Sequence, residues 1–313
     1  MDERRPRTRR EVLAGAGALG VGALAGCVSA GGSATVSVLS AGSLSVVFNE
    51  VVGPAFTDTT DYGYRGEFHG SNAVMRMIAD EQKHPDVAVS ADVGLLRDAL
   101  ESGSDPAATW DVVFAANEVV LTYNPDTDVG QRLAAGDPWY RVLRTADEDV
   151  ARSDPDLDPL GYRTVMAFEL AERYYNDPGL ADALTTALEV DADETHLLAA
   201  VETGDRAAAV TYRNMAVDHD LPVVDLPAAI NFADPTRAEH YAKATYELPS
   251  GEVVRGKPVL YNATVPTAAD SPQAGRRFVE YLLAHPEHLR ENGLVVGESL
   301  PQTHGEVPQG VVP

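Results

Sequence analysis

Cysteine and lysine are the residues that this sequence uses most sparingly. Cys27 is the only cysteine among 313 residues, which excludes a disulfide within the chain and leaves no thiolate metal site or cysteine nucleophile in the domain that follows it. Lysine occurs only as Lys83, Lys243 and Lys257, so 21 of the 24 basic residues are arginines. They face 48 acidic residues, and the formal charge is −24. Nucleic acid and anionic lipid are poor partners for such a chain, because both repel an acidic surface.

The shortage of lysine beside so many carboxylates has two explanations. In concentrated salt the Debye length falls to about 3 Å, so repulsion among surface carboxylates is screened while their hydration keeps the protein soluble. The alternative is an ordinary acidic protein with few lysines by accident. A hydrophobic content of 44 % allows a buried core, and the length allows one large domain or two of ordinary size. We favour a protein that lives in concentrated salt.

Residues 1–26 have the composition of an export signal. Five arginines, including the pair at 9–10, precede a short, weakly hydrophobic stretch rich in glycine and alanine. This pattern is typical of twin-arginine signals, which export folded proteins. A membrane-spanning anchor is the alternative, but the stretch is barely long enough and its glycines lower its hydrophobicity.

The signal ends in Leu-Ala-Gly-Cys at residues 24–27, which resembles the lipobox of lipoproteins. We therefore expect cleavage before Cys27, lipidation of this cysteine and a lipidated tether over residues 27–34. Cleavage would remove five arginines and three acidic residues and leave a formal charge of −26. The mature protein would be an acidic domain held at the membrane by its lipid alone.

Beyond the tether, predicted strands and helices alternate, which indicates an α/β fold with mostly parallel sheets covered by helices. β-branched alternation predicts the strands, and apolar residues at helical spacing predict the helices. No glycine fingerprint of a nucleotide-binding fold occurs, and two α/β units suggest two lobes with a cleft between them. Strands are predicted at 35–39, 64–68, 86–90, 118–123, 207–212, 223–226 and 259–265, and helices at 44–51, 94–101, 139–143, 162–175, 197–202 and 273–283.

Motifs for calcium binding and for catalysis are incomplete. Asp154, Asp156 and Asp158 alternate as in an EF-hand loop, but Pro159 and Val165 stand where that loop needs glycine and glutamate. The sequence has no Gly-x-Ser-x-Gly elbow, no His-Glu-x-x-His pair and no Walker loop. We therefore expect neither an EF-hand nor an enzyme.

Three strand-to-helix turns carry candidate ligand-binding residues. Ser43 follows the first predicted strand, Ser71 the second, and Asp158 precedes the strongest predicted helix. Helix N-termini present unpaired N–H groups and the positive end of the helix dipole, so several of them at one cleft would bind an anion without lysine or arginine. The alternative is that all three residues are ordinary N-caps, which Ser and Asp favour.

Several motifs occur together in the order of one family. Asp-Pro-Leu-Gly-Tyr-Arg at 158–163 is the most specific, and Ala-Gly-Ser-Leu at 41–44, Gly-Ser at 70–71 and Tyr-Asn-Ala-Thr-Val-Pro at 261–266 accompany it. From about residue 36 to 295 the chain resembles the periplasmic-type substrate-binding proteins for molybdate and tungstate, in particular their archaeal branch. The resemblance implies a two-lobed periplasmic-binding-protein type II fold with a ligand cleft between the lobes. Lobe I would comprise residues 35–115 and 263–313, and lobe II residues 116–262.

The same resemblance implies a set of donors for a tetrahedral oxyanion. Ser43 and Ser71 of lobe I would each give a hydroxyl and a backbone N–H. Lobe II would give backbone N–H groups near Leu160 and Glu194 and the hydroxyl of Tyr212.

The archaeal branch also places two carboxylates against the metal of the oxyanion. Asp158 corresponds to the first of them. The second is expected just before Tyr212, where this sequence has Thr211. A threonine can give only a hydroxyl hydrogen bond, so a six-coordinate metal centre loses one of its ligands.

The resemblance therefore implies a monomeric, lipid-anchored binding protein at the extracellular face of the membrane, exported by the twin-arginine pathway. It would capture molybdate or tungstate without a cofactor and deliver it to the permease of an ABC importer. A receptor for sulfate or another tetrahedral oxyanion is the alternative if Asp158 faces away from the ligand. A lipid-anchored enzyme is a further alternative from a different class.

Overall fold

A computed structural model describes residues 34–157, 159–191, 194–297 and 299–312, and residues 194–196 by their backbone only. The predicted signal, Cys27 and Asp158 lie outside the described residues. Within these ranges, no helix combines the length and the apolar character that crossing a membrane requires.

All seven predicted strands are present among the described residues, close to their predicted bounds, together with six strands that were not predicted. The predicted strand at 223–226 is reduced to two residues. In chain order the strands are β1 (Thr35–Ala41), β2 (Gly63–His69), β3 (Val87–Ser90), β4 (Trp110–Asn117), β5 (Val119–Tyr123), β6 (Val150–Ser153), β7 (Glu189–Asp191), β8 (Ala208–Tyr212), β9 (Val223–Val224), β10 (Thr245–Glu247), β11 (Val253–Arg255), β12 (Val259–Thr264) and β13 (Gln302–Gly305).

The helices cover both sheets, and short segments of other helical types extend three of them, one of these segments being the 3-10 turn Pro235–Arg237 before the helix that begins at Ala238. A 3-10 turn (Gly42–Leu44) and a π-helical segment (Val47–Val52) precede the first helix, and a second π-helical segment (Arg97–Glu101) follows the third. In chain order the α-helices are α1 (Gly53–Thr59), α2 (Ser71–Ala79), α3 (Val93–Leu96), α4 (Asp128–Ala134), α5 (Trp139–Arg144), α6 (Pro159–Tyr175), α7 (Leu180–Ala187), α8 (Glu194–Thr203), α9 (Arg213–Asp218), α10 (Ala238–Tyr241), α11 (Pro272–Ala284) and α12 (Pro286–Glu291).

The strands form two mixed sheets and one hairpin, so the expectation of mostly parallel sheets is wrong. The first sheet has the order β13-β4-β12-β3-β1-β2, the second has the order β7-β6-β8-β5-β9, and β10 pairs with β11. Among the strands of the described residues, only β2-β1-β3 and β7-β6-β8 pair in parallel. The reason is the direct passage of the chain between the sheets: β4 leads into β5, and β12 returns the chain, and each pairs antiparallel with its neighbours.

Each sheet has its own hydrophobic core. In the first, Phe56 and Phe278 meet edge to face with ring centroids 5.3 Å apart, while in the second, Trp139 stacks on Phe168 of α6 at 6.4 Å. The predicted lobe boundaries at 115/116 and 262/263 fall inside β4 and β12. These two strands belong to the first sheet over their whole lengths, and the lobe boundaries stay a prediction.

Helix α6 begins three residues before its predicted start. Proline is well suited to the first helical position because its missing N–H would be unpaired there in any case. Gly161 lies where the preceding loop crosses the first turn: a Cβ atom at this position would come within 2.4 Å of the backbone carbon and oxygen of Asp154. Glycine therefore allows the loop after β6 to pack directly on the start of α6, which sets the position of both beside the cleft described next.

Candidate ligand-binding cleft

A cleft of about 840 Å³ lies between residues of the first sheet and residues of the second. The residues on its two sides are called here the first wall and the second wall. The first wall includes Ala41, Gly42, Ser43, Gly70, Ser71, Asn72, Ala91, Asp92 and Tyr261, and the second wall includes Pro159, Tyr162, Arg163, Tyr212, Met215, Asp218 and His219. Three of the predicted ligand-binding residues, Ser43, Ser71 and Tyr212, thus meet in one cleft although they are far apart in the sequence.

Ser43 of the first wall is held by a ring of hydrogen bonds. Its Oγ lies 2.9 Å from Tyr261 Oη, and Asn117 Nδ2 donates to Tyr261 Oη at 3.0 Å and to Asn214 Oδ1 at 2.7 Å. Asn214 Nδ2 closes the ring by donating to the backbone oxygen of Ser43 at 2.5 Å. Asn117 and Tyr261 lie on β4 and β12, and Asn214 lies on α9. The ring therefore ties Ser43 to both connecting strands and to α9, the helix that carries Met215 and Asp218 of the second wall.

Ser71 is the first residue of α2, and its side chain does not cap that helix. Its Oγ accepts a hydrogen bond from the backbone N–H of Ala91 at 3.1 Å. An oxygen that accepts in this way keeps its own proton to donate, and Ser71 lines the cleft. Ser43 likewise makes no capping hydrogen bond. The N-cap explanation is thus wrong for both serines.

Tyr212 and Arg163 form a pair on the second wall. Tyr212 ends β8, and its Oη accepts a hydrogen bond from Arg163 Nη1 at 2.5 Å. The guanidinium also lies 5.7 Å from the ring centroid of Tyr162 and 5.9 Å from that of Tyr212. Burial acts to lower the pKa of Arg163, but its interactions with Tyr212, Tyr162 and Asp92 outweigh burial and raise it. The second wall thus carries a buried positive charge.

Two carboxylates line the same cleft. Asp92 forms an ion pair with Lys257 and accepts a hydrogen bond from the backbone N–H of Leu95 at 3.2 Å. Burial alone would raise the pKa of Asp92, but its interactions with Lys257 and Leu95 hold the pKa below its usual range. Burial raises the pKa of Asp218 to about 6, and Glu50 adds to this rise. Asp92 is therefore compensated by a cation, whereas Asp218 takes up a proton at a higher pH than an ordinary aspartate.

Of the remaining predicted residues, Thr211 lies away from the cleft, and the predicted roles of the backbone N–H groups near Leu160 and Glu194 and of Asp158 stay predictions. Leu160 is fully buried in the first turn of α6, beside the cleft residue Pro159. Thr211 is fully buried and does not line the cleft: successive strand residues face opposite sides of a sheet, so its side chain points away from that of Tyr212. Glu194 begins α8, but its side chain and the whole of Asp158 are outside the described residues.

Sequence reasoning missed Arg163, Tyr261 and Asn214. It expected an anion site without lysine or arginine, whereas Arg163 lines the cleft. A signal was present: Arg163 stands four residues after Pro159, so both lie on one face of a helix whose first turn was already a candidate site. Tyr261 and Asn214 carried no such signal, since their meeting depends on the crossing of β12 and α9.

The sequence is similar to those of known solute-binding proteins. Residues 36–294 match the family described as bacterial extracellular solute-binding protein. An uncharacterized solute-binding protein of Halobacterium salinarum is 47% identical over 98% of both chains. A putative ABC transporter molybdenum-binding protein of Haloferax volcanii is 38% identical over 96% of both. The molybdate/tungstate-binding protein of Pyrococcus abyssi is 28% identical, over 85% of this chain and 88% of that protein.

Solved structures show the same architecture at low sequence identity. The substrate-binding domain of a putative molybdenum ABC transporter from Clostridium difficile has a TM-score of 0.58 at 17% identity, covering 85% of this chain and all of that one. The periplasmic molybdate-binding protein of Azotobacter vinelandii has a TM-score of 0.56 at 14% identity, covering 84% and 100%. The expected two-lobed periplasmic-binding-protein fold is confirmed by these likenesses and by the two separate sheets. The chain is thus a member of the bacterial extracellular solute-binding protein family.

Proposed function

We propose that this protein captures molybdate or tungstate outside the cell membrane and delivers it to the permease of an ABC importer. The proposal rests above all on the meeting of three hydroxyl side chains, Ser43, Ser71 and Tyr212, at the start of the 17-residue helix α6. Hydroxyl groups and the positive end of a helix dipole suit a tetrahedral oxyanion. The relatives from Haloferax volcanii and Pyrococcus abyssi, whose names specify molybdenum or molybdate and tungstate, support the choice of ligand.

The net negative charge of the protein does not oppose this function. Donors that touch the anion act at hydrogen-bonding distance, whereas distant surface carboxylates are screened by salt. Asp92, the carboxylate of the first wall, already has Lys257 as its partner. The cleft therefore offers hydrogen-bond donors to an anion, and Asp92 adds no uncompensated negative charge.

Asp158 is proposed to bind the molybdenum or tungsten atom of the oxyanion directly. It precedes Pro159, which lines the cleft, and a carboxylate can approach an anion only through an electrophilic centre such as this metal. Sulfur does not accept such an extra ligand, so Asp158 would separate metal oxyanions from sulfate. The oxyanion is the cargo in this proposal, and binding needs no cofactor and involves no catalysis.

Export and anchoring complete the proposal. Residues 1–26 would direct twin-arginine export, and a lipid on Cys27 would hold a monomeric binding domain at the extracellular face of the membrane through the tether at 27–34. The relatives in Halobacterium salinarum and Haloferax volcanii fit an organism of concentrated salt, as the acidic composition does.

Calorimetry of the mature domain in concentrated KCl with molybdate, tungstate and sulfate tests the ligand. Molybdate or tungstate should bind far more tightly than sulfate, and the reverse order would contradict the proposal. The sulfate alternative is a real competitor because the sulfate-binding protein SubI of Mycobacterium tuberculosis shares the fold, with a TM-score of 0.50 at 11% identity over 85% of this chain and 88% of that one.

Asp158→Ala tests the carboxylate. We expect a loss of affinity for molybdate and tungstate with affinity for sulfate retained, because only the metal oxyanions can bind the carboxylate. Asp156→Ala is the matched control: Asp156 stands two residues before Asp158 in the sequence, is exposed, and accepts a hydrogen bond from Tyr246 Oη at 2.7 Å. Equal affinities of Asp158→Ala and the unaltered protein for all three anions would show that Asp158 does not touch the ligand.

A further inference from the structure

Among the described residues, Arg163 is a buried cation without an acidic partner within ion-pair distance. The residue is 6% exposed and lines the cleft. Among the described residues its guanidinium makes one hydrogen bond, to Tyr212 Oη, although a guanidinium carries five N–H donors. No carboxylate of those residues lies within ion-pair distance of it: Asp92, which acts on it from further away, is paired with Lys257.

Such a charge is costly unless something compensates it. Burial removes the hydration of Arg163, and Tyr212, Tyr162 and the more distant Asp92 offset this loss while most of its N–H donors stay unused. The place is unfavourable as well, because Arg163 lies near the N-terminus of α6, where the helix dipole repels a cation. Two other arginines of this chain do have carboxylate partners: Arg97 binds Asp111 through two nitrogens at 2.8 and 2.9 Å, and Arg206 binds Asp191 at 3.1 Å.

The surroundings hold the guanidinium in a fixed position. The rings of Tyr162 and Tyr212 flank it at 5.7 and 5.9 Å, and the bond to Tyr212 Oη fixes its rotation. A planar guanidinium fixed in this way can offer two parallel N–H groups to two oxygens of one anion. The donors not used by Tyr212 are available to whatever enters the cleft.

We propose that Arg163 binds the anionic ligand directly and makes the cleft selective for doubly charged tetrahedral oxyanions. This inference rests on the proposed function and adds to it the residue that distinguishes ligands by their charge. The hydroxyls of Ser43 and Ser71 recognise oxygen atoms of any tetrahedral anion, whereas the cation discriminates by the number of charges. Binding of the ligand would also compensate the buried charge, so part of the stability of the liganded protein would come from this one contact.

Arg163→Met and Arg152→Met form a matched pair of variants. Arg152 is also 6% exposed and has no carboxylate within ion-pair distance among the described residues, but it donates to the backbone oxygen of Ser153 at 3.4 Å and does not line the cleft. Calorimetry would measure molybdate, tungstate, sulfate, phosphate and perrhenate, an anion with the shape and size of tungstate but a single charge. Arg163→Met should weaken tungstate and molybdate by about 10- to 100-fold, and Arg152→Met should leave them unchanged.

Charge selectivity is the decisive readout. The unaltered protein should prefer tungstate to perrhenate, and Arg163→Met should reduce this preference because the charge-reading group is gone. Arg163→Lys keeps the positive charge but loses the planar pair of N–H donors. It should therefore bind tungstate less tightly but still prefer tungstate to perrhenate. An equal loss for tungstate and perrhenate in Arg163→Met, or no loss at all, would overturn the proposal.

Thermal unfolding without ligand separates this role from a structural one. If Arg163 serves the ligand, Arg163→Met should unfold at the same or a higher temperature in the absence of anion and gain less from added tungstate. A lower unfolding temperature without ligand together with unchanged ligand stabilisation would assign Arg163 to the fold and overturn the proposal.

If the unaltered protein binds sulfate or phosphate but neither molybdate nor tungstate, the proposed cargo is wrong and the same variants test Arg163 on the anion that binds. If it binds none of the five, both proposals fail.

Discussion

The two walls of the cleft recognise an anion by different means. On the first wall, Ser43 and Ser71 are neutral hydroxyls that already have partners, Tyr261 and the backbone of Ala91. On the second wall, Tyr212 accompanies a buried guanidinium that has no carboxylate partner among the described residues. Each serine of the first wall therefore has one partner without a ligand, whereas the guanidinium of the second wall leaves most of its N–H donors unused.

This difference teaches where the binding energy comes from. Exchanging a hydrogen bond to water for one to a neutral hydroxyl gains little, whereas a bond to a charged, buried group gains more. We expect an anion to bind chiefly through the second wall and the first wall to add shape and closure. Substitutions on the second wall should then cost more affinity than equivalent ones on the first.

Among the hydroxyl side chains of the cleft, the largest effect should come from Tyr212→Phe. Loss of its Oη removes the acceptor that fixes Arg163 and a hydroxyl of the cleft, and we expect tungstate affinity to fall by about 10- to 30-fold in calorimetry. Tyr123→Phe is the control, because Tyr123 lies on the neighbouring strand β5, is 9% exposed and does not line the cleft. An unchanged tungstate affinity of Tyr212→Phe would show that the second wall does not contribute more to binding than the first.

Ser43→Ala and Ser71→Ala should have smaller effects. Each variant loses one neutral hydroxyl, so we expect about a threefold to tenfold loss of tungstate affinity, measured in the same way. Ser102→Ala, whose hydroxyl donates to the backbone oxygen of Arg97 on the surface, should have no effect. A loss as large as that of Tyr212→Phe would show that the first wall binds as strongly as the second.

The smallest effect concerns pH and Asp218 of the second wall. Burial raises the pKa of Asp218 from 3.8 to about 6 in the folded protein, so folding favours its protonated form. Stability should therefore decline as the pH rises from about 4 to 6, and Asp218→Asn should abolish about 1 kcal/mol of this decline, since solvent screens a partly exposed group. Thermal unfolding of both proteins at pH 4 and 7 measures the difference. An equal change in the unfolding temperature of both proteins between pH 4 and pH 7 would show that Asp218 keeps an ordinary pKa.

Local signals in the sequence predicted much of the fold and part of the site. Alternation located β1 and β2 within one or two residues, and apolar spacing located α6 and α11, because these patterns report burial on one face. The mixed sheets were not predictable in this way, since strand direction depends on where β4 and β12 cross between the sheets.

For the site, the serines after β1 and β2 were found because turns after strands leave a local signature. Thr211 was misplaced as a cleft donor, since the face of a strand that looks into the cleft depends on sheet register. Arg163 was overlooked because a helical arginine normally lies on the surface. Its burial depends on the packing of α6 against β8, which no local pattern reports.

The ion pair between Asp92 and Lys257 gives the protein a built-in chemical reporter. Lysine is so scarce that an amine-acylating reagent has only three side-chain targets in the chain. Among the described residues, Lys257 is paired with the cleft residue Asp92, whereas Lys83 pairs with Glu67 at 2.9 Å and neither of these two lines the cleft. The relative acylation of these lysines, read by mass spectrometry, would follow the rim of the cleft as a ligand enters, without any introduced label.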